Sequence, residues 1–155
     1  MDRTFAIPKR RQNVVLHLEE PAIAMQGTIF LEPVHDGIPA YHAVAAFLED
    51  TSRFFPFLLD RTGQTECINK ASILTVEMEY ETDRDDSSFP IALLQREEIT
   101  VVFRSGNDMR GILLAEVPEE RSRLSDCLNL PDKFLSIRSK NSIYYINKAT
   151  ILKVV

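Results

Sequence analysis

Two histidines and an aspartate stand close together in "HDGIPAYH", His35 to His42. Imidazole nitrogen and carboxylate oxygen are donors that zinc and similar ions accept, so His35, Asp36 and His42 are the metal-ligand candidates of this chain. A cage needs three or four preorganised ligands. No fourth donor lies near this loop in sequence, and the region after residue 88 has no histidine. Ordinary loop residues are the expectation here, with no metal and no cofactor. A metal-binding or enzymatic site over residues 33–42 stands as a second alternative.

Other catalytic sets are missing from the sequence. The five glycines are isolated, so no phosphate-cradling loop forms. No G-x-S-x-G elbow is present. Cys67 and Cys127 match no metal or redox spacing, have no histidine nearby in sequence and sit among apolar neighbours. Both are read as buried, reduced thiols. Glu32 and Glu116 recur at strand ends, where a salt bridge or a cap accounts for them. No catalytic residues are assigned, and an enzyme is not expected.

Cations beside a ring can hold nucleic acid. Arg110, Arg138, Lys140 and Lys148 with Tyr144 are the candidates for that chemistry. They fall in residues 88–155, which carry a small basic excess, whereas residues 13–78 hold three Lys/Arg against nine Asp/Glu. Opposite signs favour docking of the two parts on each other, within or between chains. The whole chain has net charge −5, which argues against a dedicated nucleic-acid binder. Hydrophobic residues make up 45% of its 155 residues, enough for a real core. It has no run of about 18 apolar residues, and "MDRTFAIPKRRQ", with no long apolar core after its charges, is not expected to be a secretory leader. A reducing, cytoplasmic setting is the expectation.

The elements that must position these residues are written twice. "INKASILTV" (68–76) and "INKATILKV" (146–154) agree at seven of nine positions, offset by 78. "MQGTIFLE" (25–32) and "MRGILLAE" (109–116) align at an offset of 84, and Phe5 and Ile7 meet Phe89 and Ile91 at the same offset. Val44, Phe47 and Leu48 share one helix face, as do Leu124, Cys127 and Leu128. The pattern predicts α+β, mainly antiparallel β: two tandem ββαββ repeats, 1–80 and 88–155, joined by an acidic linker at 81–87. Each is expected to be a small barrel-like or strongly twisted sheet, packed with pseudo-symmetry as one compact unit, because about 70 residues are marginal alone.

Each repeat predicts strands "VVLHLE" and "EITVVF", then a second strand holding Gly27 or Gly111, where a bulge or a close backbone approach is expected. Pro39 opens the first helix. Ser122 caps the second, with Asn129 in a left-handed exit. The third strands are "FFPFLLD" and "KFLSIRS". The fourth is bent in the middle, and its Asn suits a tight corner. The strands around "YINKATILKVV" resemble the closing segment of Sm-like and other small SH3-like barrels, in which an apolar strand, a short polar corner and an Ile-rich last strand follow one another. That resemblance implies RNA binding through repeat two as the alternative function. Asn69-Lys70 and Asn147-Lys148 stand where Sm proteins carry Arg-Gly. The segment "RLSDCLN" (123–129) before "FLSI" also resembles bacterial domains of unknown function, which implies a prokaryotic source.

The third strands differ in a telling way. Leu135 and Ile137 alternate with Ser136 and Arg138, giving one buried and one wet face. In the first repeat Phe55, Phe57 and Leu59 lie on one side and Phe54, Pro56 and Leu58 on the other, so both faces are apolar. Pro56 suggests an edge or a bulge, and an apolar edge needs a cover, for which repeat two, the N-terminal Phe5–Ile7 stub and another subunit are the candidates. The leading expectation is a non-enzymatic regulatory or assembly module acting through protein contacts, with a protein partner or a second copy held at Phe54, Phe55, Phe57 and Leu59.

Overall fold

The computed structural model describes residues 9–32, 38–79, 97–114 and 124–155. The N-terminal stub, the acidic linker at 81–87, Ser122, His35 and Asp36 lie outside the described residues. The first half runs β1 (Arg10–Leu18), β2 (Ala24–Leu31), α1 (Ala40–Glu49), β3 (Phe54–Leu59), β4 (Thr65–Asn69), a 3-10 turn (Lys70–Ser72) and β5 (Ile73–Glu79). The second runs β6 (Glu98–Phe103), β7 (Asp108–Leu113), α2 (Leu124–Leu128), β8 (Phe134–Ser139), β9 (Ser142–Asn147), a 3-10 turn (Lys148–Thr150) and β10 (Ile151–Val154). The fold is mainly antiparallel β. The expected bent fourth strand is two strands in each half, because the turn at Asn69 or Asn147 is a full corner after which the chain pairs with a different neighbour.

All ten strands form one sheet in the order β10-β6-β7-β8-β9-β5-β1-β2-β3-β4. Within each half the last strand returns beside the first: β5 pairs β1, and β10 pairs β6. The halves join where β5 pairs β9, from Thr75 opposite Ile146 to Glu79 opposite Ser142. β4 and β10 are left at the two edges.

Apolar residues at alternate strand positions fill two cores. The first gathers Leu16, Ile29, Phe57 and Val76 under Val44 and Leu48 of α1. The second gathers Ile99, Val101, Leu113 and Ile137 under Cys127 of α2. The junction strands serve both. Ile143 and Tyr145 of β9, with Phe134 of β8, belong to the first core. Ile146 belongs to the second, and Leu74 of β5 packs against it.

Gly27 and Gly111 do the same work in the two halves. A Cβ on Gly27 would collide with the Leu58 carbonyl and lie 2.6 Å from the Phe57 ring; on Gly111 it would lie 2.7 Å from the Arg138 carbonyl. The third strand of each half therefore crosses its second strand at a distance only glycine permits. Asn129 is not left-handed, and the left-handed non-glycine residue among the described residues of this half is Lys140, φ 55°, in the β8–β9 turn. Pro56 lies in the stretch of β3 that pairs β4 and precedes the ladder to β2. No helix among the described residues is long and apolar enough to cross a membrane.

Candidate functional site: the junction and the open edges

The repeated phrase makes one corner twice. The Asn69 Oδ1 accepts the Ala71 N–H at 3.0 Å, and the Asn147 Oδ1 accepts the Ala149 N–H at 3.1 Å. The lysine that follows reaches back to the end of its own helix. Lys70 Nζ donates to the Phe47 carbonyl (2.8 Å) and to Asp50 (2.6 Å). Lys148 Nζ donates to the Leu130 carbonyl (3.0 Å) and to Asp132 (2.6 Å). A cation near carbonyls that a helix leaves without N–H partners is well placed. Burial pushes the Asp50 carboxyl up, but the hydrogen bond and charge of Lys70 and the Ser52 N–H outweigh it and hold it below its usual value. Both lysines are thus tied into the corner.

A polar cluster missed in the sequence lies on the junction. Glu77 of β5 stands 3.1 Å from His17 Nε2 of β1 and accepts the Ser142 hydroxyl of β9 at 3.1 Å. The Tyr144 ring tilts beside His17, centroids 6.5 Å apart. Burial and the Glu77 carboxylate raise the Tyr144 phenol above its ordinary value. Serine, histidine and a carboxylate invite a triad reading, yet the carboxylate stands between the other two. The Ser142 hydroxyl is therefore directed at the carboxylate and not at His17. The cluster clasps three strands together. Nothing local signals it, because His17, Glu77 and Ser142 are far apart in sequence.

The proposed nucleic-acid residues lie on β7, β8 and β9, in the β8–β9 turn and at the corner after β9. Lys148 is held as described. Arg110 pairs with Glu98 at 3.5 Å. Tyr144 is half-buried at the junction, and Arg138 stands opposite Ile143 on β8. Lys140 is exposed but lies at the far end of β9 from Lys148, roughly 20 Å away at about 3.3 Å per residue. Of the metal candidates only His42 is described; it is exposed, and its ring packs on Tyr41 with centroids 4.1 Å apart. Among the described residues no group of three or more His, Cys, Asp or Glu could hold a metal ion.

The expected partner residues divide between core and surface. Phe55 and Phe57 are buried in the first core, and Leu59 packs against it. Phe54 is 59% exposed, at the start of β3 beside the edge strand β4. Its neighbours Phe30, Phe47 and Pro56 line a shallow groove of about 250 Å³. At the opposite edge, Leu152 is 63% and Val155 72% exposed. Cys67 of β4 is exposed, contrary to expectation, because an edge strand has neighbours on one side only. Cys127 is buried, and burial, with Asp126 and Glu97, raises its thiol. Comparison with known proteins finds no matching family model, no similar curated protein and no similar solved structure.

Proposed function

We propose that this chain is a non-enzymatic regulatory or assembly module that acts through protein contacts at its two open sheet edges. The observation that carries the reading is a strand with a single neighbour among the described residues and exposed apolar side chains at both ends: β4 beside Phe54 of β3, and β10 with Leu152 and Val155. An edge strand offers a row of backbone donors and acceptors to a further strand, and its side chains add selectivity. We further read the two halves as copies of one small barrel-like unit, on the recurrence of their element order, their close-approach glycines and their Asn-Lys corners.

The RNA alternative has less behind it, because Lys148 and Arg110 already have acidic partners and Tyr144 is half-buried. A photoreactive phenylalanine analogue at position 54, irradiated in living cells, tests the choice. A covalent product with a protein is expected. A product with nucleic acid, or none, overturns the reading.

A further inference from the structure

We propose that copies of this chain join head to tail, with β10 of one copy adding to β4 of the next in the register that β5 and β9 already use inside the chain. This deepens the assembly reading and rests on it.

The chain contains one built contact of this kind. At the offset of 78, β4 corresponds to β9 and β5 to β10. The internal junction thus joins the last strand of the first half to the fourth strand of the second. Among the described residues, the strands with only one neighbour are the fourth strand of the first half and the last strand of the second, the same two kinds of strand. They cannot meet each other within the sheet, since eight strands lie between them. A second copy brings them together.

The side chains follow the same logic. Phe134 begins β8 and is 6% exposed, seated in the first core across the junction. Phe54 begins β3 at the corresponding place and is 59% exposed. Leu74 packs against the second core across the junction, whereas its counterpart Leu152 is 63% exposed. Tyr145 is buried and its counterpart Cys67 is exposed. Each position is covered where the junction covers it and bare where the corresponding junction is open. The Asn147 Nδ2 donates across the junction to the Ile73 carbonyl at 2.9 Å. The Asn69 Nδ2 has no partner among the described residues, and the carbonyl that corresponds to Ile73 is that of Ile151 on the other edge.

The register follows by shifting the internal one. Val76 opposite Tyr145 becomes Val154 opposite Cys67, and Thr75 opposite Ile146 becomes Lys153 opposite Ile68. Val155 then faces Glu66. That is three backbone pairs against five inside the chain, so the contact is smaller and assembly depends on concentration. It also sets the basic half of one copy on the acidic half of the next, so added salt weakens it. Because the two surfaces differ, the contact is heterologous. It generates a ring if the rotation closes and a filament if it does not.

Two measurements test this. Light scattering is expected to give a mass that rises above the 17.7 kDa monomer as concentration increases. The double variant Phe54→Lys, Leu152→Lys is expected to stay monomeric with its melting temperature unchanged, since both side chains are exposed. A wild-type monomer at all concentrations, or assembly that survives both lysines, overturns the proposal. In the second experiment the wild type, whose reactive thiol is Cys67, is mixed with a heavier tagged chain carrying Cys67→Ala and Val154→Cys, and oxidised. The mixed 67–154 dimer is expected to exceed either homodimer several-fold. A mixed product no more abundant than the homodimers, or no product, overturns it. If these fail while the photoreactive residue at 54 captures a different protein, the head-to-tail contact is wrong and the assembly reading stands. If that residue captures no protein either, both fall.

Discussion

The Lys70 ammonium lies 2.6 Å from the Asp50 carboxylate, and its side chain is 9% exposed. Lys148 and Asp132 repeat the distance with a lysine side chain 19% exposed. Removing one partner of a buried, charge-assisted contact leaves the other group undersatisfied, which costs about 1–3 kcal/mol. Lys70→Met keeps the stem and deletes the charge, taking this donor from the Phe47 carbonyl and leaving Asp50 with the Ser52 N–H and solvent. A loss of about 2 kcal/mol is expected in urea unfolding, and a smaller one for Lys148→Met, whose surroundings are wetter. Equal stability of Lys70→Met and wild type would refute the corner's role.

Asp50 gives this contact a pH dependence. Its carboxyl titrates below its ordinary value of 3.8 in the folded chain. A lowered folded pKa contributes stability that is present above the unfolded value and lost as pH falls through the folded one. The difference in urea midpoint between wild type and Asp50→Asn should be full at pH 7 and 5 and shrink below about pH 4. A constant difference down to pH 2 would remove Asp50 from the acid response.

Gly27 and Gly111 make a paired test of the crossing between second and third strands. Overpacking of this sort costs about 1–3 kcal/mol and sometimes more. Gly27→Ala meets the Leu58 carbonyl and the buried Phe57 ring, and neither can move far. It is expected to cost about 3 kcal/mol. Gly111→Ala meets the Arg138 carbonyl at 2.7 Å and the end of the flexible Ile137 side chain at 3.0 Å, so about 2 kcal/mol is expected. Denaturant midpoints rank the two. The reverse order would place the tighter crossing in the second half.

Much of this fold is legible before any coordinates. The Asn of the repeated phrase marks a corner because its side chain bonds its own backbone, whereas the tie from the next Lys to a helix end appears only in the fold. The isolated strand glycines mark close approach for the same local reason. What could not be read is which strands pair after the corner, since β5 and β9 meet through residues far apart in sequence. "FFPFLL" is apolar on both sides, so alternation alone cannot say that Phe57 points inward and Phe54 outward. Cys67 misled because its apolar sequence neighbours lie on an edge strand. The Glu77 clasp is invisible for the same reason as the junction it sits on: three strands contribute one group each.

Tyr145 tests whether the halves act as one unit. It belongs to β9, in the second half, yet its ring is seated in the first core, and its hydroxyl donates to the Tyr41 carbonyl of α1 at 2.7 Å. In regular helix geometry that carbonyl also accepts an N–H from the next turn. Tyr145→Phe therefore removes one of two bonds and is expected to cost about 1 kcal/mol. Tyr145→Ala also opens a cavity and is expected to cost about 3–5 kcal/mol. Because the ring spans the junction, the alanine variant should lower hydrogen-exchange protection in β1 and β2 as well as in β8 and β9, with one unfolding transition. Loss of protection confined to β8 and β9 would mean that the halves unfold separately, and that the junction contributes little to the first core.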